Sequence, residues 1–483
     1  MLKRPQNHQF EIEANISRRN PTEPILLILG ISLSLSMVLL IFITGIKRSK
    51  LSFELLFFLP FLVYFASIFL LRRYYSPESR FFLPLILIFA VLLQGMLLLT
   101  DVTLSDDIYR FFTEGKAISK GIDPYTTPIS EYPSELKDRN AELANHQETT
   151  SPYPPVALLM FLIFYLLYPS TMTFRIFFSL GFLSSIIVCY KLLERKSRWK
   201  LIIYAWNPLL HLETANGSHF EAIVVLAVML AIYAIQREKP AIAGTAFLIA
   251  FLLKYYPIFL VVVYWKHLGK RGMSVFLAGL SIYGFLIMLH PSAIMGLISF
   301  GEEHYFNASI FWVLVQLLKN FSLAKLIVGL VLVYIMVNLA FKSREETEFS
   351  ASQGLIAIGL LLLLQPVFHP WYVFWIFPFL ILDDELNLSW VVLTGTLIFS
   401  YNAYIAFDTT MVWKESNFIR FIEFFPFFAI LLIEKRKDLL EIFYRLKFRL
   451  KNRALAAHEK LGNRTNLYRK KAKMGATRTS PDT

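Results

Sequence analysis

The sequence predicts an all-α protein, a polytopic transmembrane helical bundle of about 12–14 spans, some of them broken. Three observations carry that expectation. Of 483 residues, 56% are apolar and 17% charged, against about 45–50% and about 25% in soluble domains. Aromatic residues make up 16% of the chain and the mean hydropathy is +0.53, more apolar surface than a soluble core absorbs. Apolar stretches approaching or exceeding about 20 residues recur from one end to the other. The apolar content excludes a disordered chain, and the single Cys189 excludes a disulfide-stapled module. Helices follow because an open sheet edge facing lipid leaves backbone groups unpaired.

Taken in order, spans are predicted near residues 25–46, 51–71, 81–100, 174–193, 201–212, 220–236, 272–289, 322–341, 352–366, 370–382, 388–407 and 418–434. The first 20 residues are polar and the first apolar run is a full span, so no cleavable signal peptide is expected. Between Ala241 and Trp265 the apolar run is interrupted by Lys254-Tyr255-Tyr256-Pro257. Proline removes a backbone donor and lysine is costly in lipid, so two short helices meeting at a tip are expected. The apolar run 156–168 is short for a crossing and is read as a helix in the interface. Its entry, Tyr153-Pro154-Pro155, fixes the angle of approach, because proline fits the first turn of a helix.

Charge gives the orientation. Basic clusters at Lys3, Arg4, Arg18 and Arg19, at Arg72, Arg73 and Arg80, at 195–200, at 266–271 and after Glu434 all fall on one side if the N-terminus is cytoplasmic. Lys47, Arg48 and Lys50 disagree. The expected organisation is a cytoplasmic segment 1–20, a transmembrane domain 21–434 with an outer loop 101–155, and a basic cytoplasmic tail 435–483. Most of the net charge of +13 resides in that tail: residues 435–475 carry +11, including an amphipathic stretch suited to anionic lipid. The charge is therefore no sign of nucleic acid. The loop 101–155 has ten acidic and five basic residues, and His146, His211, His219, His290, His304 and His369 also reach the outer side. Chemistry is expected on that face.

Four segments carry it. In Ser105-Asp106-Asp107-Ile-Tyr109-Arg110-Phe-Phe-Thr-Glu114, two adjacent carboxylates beside a cation could supply a general base; equally, Ser105 could cap a helix whose dipole favours the two aspartates. In Trp206-Asn207-Pro208-Leu-Leu-His211-Leu-Glu213-Thr-Ala-Asn216-Gly217-Ser-His219-Phe-Glu221, substrate contact, a divalent metal and a plain turn all remain open. Lys254 with Tyr256, and Gln365-Pro-Val-Phe-His369-Pro-Trp371-Tyr372, stand at helix breaks. A cation and aromatics there suit a lipid-borne phosphate, or else a snorkelling lysine and an aromatic belt. No GxxxxGK[ST] loop and no HExxH motif occurs, so bound ATP is not expected to drive the reaction.

The order of these segments resembles a known family. SDDIYRFFTEGKAISKGIDPY from Ser105, YPPVALL from Tyr153, AWNPLLHLETANGSH from Ala205, LKYYP from Leu253 and HPWY from His369 resemble bacterial polyprenyl-phosphate-sugar-dependent mannosyltransferases of the GT-C superfamily. The first block is also similar to the first luminal loop of glycosylphosphatidylinositol mannosyltransferase I. Two features depart from the pattern: the acidic loop follows the third span, and Thr113 stands where relatives commonly carry tryptophan. The resemblance implies a membrane glycosyltransferase that passes a hexose, with mannose preferred, from a polyprenyl-phosphate donor to a glycan or glycolipid acceptor at the extracytoplasmic face, with inversion. It implies Asp106 or Asp107 as base. Donor and substrate contacts would come from Tyr109, Arg110, Glu114, Tyr153, His211, Glu213, His219, Lys254, Tyr256, His369, Trp371 and Tyr372, and no cofactor or metal is required. The expected location is the bacterial inner membrane. The rival expectations are a transporter or flippase for a lipid-linked saccharide, which calls for internal repeats and charges deep within spans, and a glycan polymerase or ligase.

Overall fold

The computed structural model describes residues 21–47, 50–345, 348–410, 412–438, 440, 441 and 448. The predicted N-terminal segment and almost all of the basic tail lie outside these residues. Everything described is helix, turn or loop, with one isolated bridge between Phe306 and Val367. Among the described residues, six stretches are long and apolar enough to cross a membrane: Thr22–Thr44, Leu51–Tyr74, Thr171–Leu192, Trp265–Leu289, Phe321–Ser343 and Leu388–Phe407. Shorter apolar helices fill the spaces between them. The chain is a polytopic all-α membrane protein.

In chain order the helices are α1 (Thr22–Thr44), α2 (Leu51–Tyr74), α3 (Phe82–Leu98), α4 (Asp107–Ser119), α5 (Arg139–Leu143), α6 (Pro155–Leu167), α7 (Thr171–Leu192), α8 (Leu201–Ala205), α9 (Pro208–Ala215), α10 (Glu221–Gln236) and α11 (Pro240–Leu253). The second half continues with α12 (Pro257–Val263), α13 (Trp265–Leu289), α14 (Ser292–Glu303), α15 (Ile310–Leu318), α16 (Phe321–Glu345), α17 (Ala351–Leu364), α18 (Phe377–Leu382), α19 (Leu388–Thr396), α20 (Asn402–Thr410) and α21 (Asn417–Glu434).

Two spans and one connection differ from expectation. The stretch 201–212 is not continuous: Asn207 caps α9 by accepting from the amides of Leu209 and Leu210, with Pro208 in the first turn. Residues 370–382 open as a 3-10 turn, Pro370–Ile376, before α18. Residues 292–318, where no span is predicted, form α14 and α15. The break at Lys254 falls where the proline and lysine place it, between α11 and α12.

Two devices tie the loop 101–155 to the helical body. Arg175, buried in α7, donates to the carbonyls of Leu97, Thr100 and Ala215 at 2.8–2.9 Å. It thereby satisfies carbonyls at the C-terminal ends of both α3 and α9, which have no partner within their own helices. Asn216 accepts from the amides of Thr103 and Leu104 and donates to Asp101 O and Thr100 Oγ1. The segment leading into α4 is thus clamped.

α4 then lays Phe111 and Phe112 onto α6 and α7. Phe111 stacks on Phe161 at 4.6 Å, and Gly115 lets the helices touch, since a Cβ there would fall 2.6 Å from Phe161 O. The rest of the loop folds over α4 around a small core of its own, Ala117, Ile129, Tyr132, Leu136, Ala141 and Ala144.

Candidate active site

One large cavity, about 670 Å³, opens where the loop 101–155 meets the breaks in the helices. Asp106 and Asp107 enter it from the start of α4. Asn145 Nδ2 lies 2.9 Å from Asp106 Oδ1 and 2.5 Å from Asp107 Oδ1, so one amide aims both carboxylates. Behind Asp107 stands His219, buried, its Nε2 3.6 Å from Asp107 Oδ2 and its Nδ1 3.1 Å from Glu213 Oε2. Burial opposes the charge on Asp107, but His219 and then Asn145 more than offset it and hold the carboxyl well below the usual range. Burial likewise works against the imidazolium, yet its two carboxylate neighbours push His219 up to about 9. The imidazole is therefore charged at neutral pH.

The wall formed by the 3-10 turn is aromatic. Trp371 stacks on His219 at 3.6 Å and on His369 at 4.2 Å, and His369 stacks in turn on Phe306 at 4.8 Å. Burial pulls His369 down to about 3, so it is neutral. Beyond it Tyr372 and Tyr256 both stack on Trp375, at 4.4 and 4.3 Å. Lys254 pairs with Glu221 and sits over the rings of Tyr372 (4.9 Å), Phe220 and Trp375. Several buried polar atoms on this wall have no protein partner: Tyr256 Oη, Gln365 Nε2, His369 Nδ1, Trp375 Nε1 and Glu221 Oε2. Buried polar groups are ordinarily satisfied, so these are places for a ligand's or water's hydrogen bonds.

The rim closes across His146 and His304, whose Nε2 atoms are 3.3 Å apart; His146 holds a left-handed backbone, φ 45°. Leu297, Phe300, Phe407 and Trp413 give part of the cavity an apolar lining.

Of the residues singled out in the sequence, Asp106, Asp107, Arg110, Tyr153, His219, Lys254, Tyr256, His369, Trp371 and Tyr372 line this cavity. Arg110 is almost spent, however. It donates to Glu114 at 2.8 Å, to the carbonyls of His146 and Thr149 at 2.9 Å, and to Asn145 O. Glu114, fully buried, also accepts from Ser151 Oγ, and burial raises its carboxyl above the ordinary value. That pair pins the strand of loop that carries Asn145. Tyr109 packs on the loop's small core. His211 lies away from the cavity, bonded to Gln94 at 2.8 Å and Ala205 O at 2.9 Å. Glu213 stands one layer back. Asn145, Trp375 and the Lys254 partner Glu221 were not among the expected contacts; Asn145 has no local signal, being brought in by the fold of the loop.

Among the described residues no three His, Cys, Asp or Glu side chains are grouped to hold a metal ion.

Helical spans around a chamber that presents a carboxylate pair, a buried imidazolium and aromatic stacking faces define a polytopic membrane protein built to handle a polar ligand at the helix ends. Residues 36–268 match the N-terminal domain of alpha-(1->6)-mannopyranosyltransferases and residues 308–401 match the MptB C-terminal domain. Together the two matches cover well over half of the chain, and the chain belongs to this family of GT-C type bacterial mannosyltransferases. It is a membrane glycosyltransferase, with a sugar donor and a glycan acceptor. No curated protein and no solved structure matches it.

Proposed function

We propose that the protein transfers mannose from a polyprenyl-phosphate-mannose to a lipid-linked or cell-envelope glycan at the extracytoplasmic face of the bacterial inner membrane, with inversion and with Asp107 as general base. The observation that carries this reading is the cavity itself: an ionised Asp107 aimed by Asn145 on one wall and, on the helix-break wall, Lys254 among aromatic rings and unpartnered donors.

A sugar hydroxyl is a weak nucleophile. Held against the anomeric carbon, it becomes acidic only as the new bond forms, and a carboxylate within reach takes its proton at that moment. A base kept ionised well below neutrality is always available for that step. The C1–O bond to phosphate breaks with its electron pair leaving on the phosphate, where a fixed cation is most useful. Lys254 is the cation placed for this, since the Arg110 guanidinium is committed to the loop carbonyls. Trp371, Tyr372 and Tyr256 offer flat apolar faces for the sugar ring, and the apolar lining near Phe300 and Phe407 suits a prenyl chain.

The reading is tested by reconstituting purified protein in vesicles with a bacterial membrane lipid extract and offering labelled mannose on polyprenyl phosphate or on GDP. Label is expected to move to acceptor from the polyprenyl donor alone. Transfer from GDP-mannose with none from the lipid donor would overturn the donor assignment.

A further inference from the structure

Behind the carboxylate pair runs a buried line of polar groups that the reaction as written does not use. Tyr401 Oη donates to Glu213 Oε1 at 2.6 Å, Glu213 Oε2 is 3.1 Å from His219 Nδ1, and His219 Nε2 is 3.6 Å from Asp107 Oδ2. Glu213 and Tyr401 are fully buried and do not line the cavity. The His219 ring is flanked by Trp371, itself stacked on His369. Gly217 is the residue that lets the line close: a Cβ there would lie 2.7 Å from Glu213 Oε2 and 3.0 Å from His219 Nδ1.

We infer that Glu213, anchored by Tyr401, is a positioning residue that keeps His219 protonated and directed at Asp107, so that the imidazolium serves as the fixed counter-ion of the general base. This rests on the reading of Asp107 as base. A donor phosphate is an anion and must approach a chamber that already holds a carboxylate pair. With His219 charged, the Asp107, His219 and Glu213 set carries a net −1 rather than −2, and the repulsion that low dielectric magnifies is reduced. The proton count is simple. The acceptor hydroxyl gives its proton to Asp107 as C1–O forms and the phosphate leaves; His219 keeps both ring protons throughout. Asp107 then releases its proton to water. The charged or titratable groups facing His219 are Asp107 from α4, Glu213 from α9 and His369 from the 3-10 turn, the last held neutral by burial. Loss of the His219 proton should therefore produce the alkaline limb of the activity profile, near its value of about 9.

The test is the pH dependence of kcat/KM for mannose transfer by the full-length protein, with Glu213→Gln, Gly217→Ala and Asp107→Asn. Glu213→Gln removes the negative partner, and an opposite charge at this range is worth about 1–3 pH units. Its alkaline limb is expected to move down by at least about 1 unit. Gly217→Ala, whose Cβ would crowd both Glu213 Oε2 and His219 Nδ1 and so part them, should shift the limb the same way by less. Asp107→Asn should be slowed by about 10²–10⁴-fold at every pH. If both Glu213→Gln and Gly217→Ala give profiles superimposable on wild type after scaling, the positioning role is overturned while the base assignment stands. If Asp107→Asn stays within a few-fold of wild type, the base assignment fails, and the shift of the other two variants is still read on its own. Should Glu213→Gln not fold, Gly217→Ala alone decides: an unmoved limb is refutation.

Discussion

Replacing Arg110 by methionine separates two roles that one guanidinium could play. In the structure Arg110 is 2% exposed, pairs with the fully buried Glu114 and donates to the carbonyls of Asn145, His146 and Thr149. Removing one member of a buried ion pair costs about 3–5 kcal/mol, because the other charge is left stranded. Glu114 has an escape: burial already raises its carboxyl, so it takes up a proton and the cost settles near the lower figure. At about 1.4 kcal/mol per decade, about 3 kcal/mol multiplies the population with the loop undocked by about a hundredfold.

Hydrogen exchange of the amides in residues 101–155 of the purified protein reads that population directly, as a comparable loss of protection in Arg110→Met. The double variant Arg110→Met, Glu114→Leu leaves neither charge buried and should recover most of the protection. Unchanged protection in Arg110→Met would refute the pinning role and return Arg110 to the list of donor contacts.

Three further outcomes are expected. Lys254→Ala should raise the apparent KM for the lipid donor by about tenfold or more with little change for the acceptor, the loss of one charge-assisted contact; steady-state kinetics with each substrate varied checks it. Asn145→Ala removes the amide that aims both carboxylates and should lower kcat by about tenfold to a hundredfold while leaving the helical circular dichroism intact. In thermal unfolding across pH, the two members of the Asp107 and His219 pair act with opposite signs. His219 has a raised value, so its contribution is complete below the ordinary histidine range and is lost as pH rises through about 9. Asp107 is depressed, so its contribution is present above the ordinary carboxylate range and is lost only as pH falls toward its lowered value. His219→Gln should remove the alkaline loss.

What was legible in the sequence was what local chemistry decides. Apolar runs gave the spans, the Lys254 to Pro257 interruption gave the break between α11 and α12, and the acidic block gave α4 with its two aspartates at the N-terminal end. The break before α9 was also written locally, in Asn207-Pro208, but the surrounding apolar residues masked it as one span. Helices α14 and α15 were missed because each is short, 12 and 9 residues, and bounded by polar residues such as His304 and Lys319.

The site's second layer was legible only in part: Glu213 and His219 stand in a marked segment, but the residues that aim and anchor them do not. Asn145 reaches Asp107 from 38 positions away, and Tyr401 reaches Glu213 from 188. No spacing rule joins such residues; only the fold of the loop and the placing of the 3-10 turn Leu397–Tyr401 beside Glu213 bring them together. His211 shows the converse. Its polar surroundings in sequence marked it as a contact, yet a glutamine from the middle of an apolar helix, Gln94, satisfies it inside the body of the protein.

The reaction as proposed has Asp107 take the acceptor proton in the cavity beneath loop 101–155. The most direct measurement is the rate of mannose transfer from polyprenyl-phosphate-mannose by Asp107→Asn in vesicles, alongside donor binding by the same protein. The expected result is a fall of about 10²–10⁴-fold in rate with donor binding retained, the range a general base supplies. Transfer within a few-fold of wild type would contradict it.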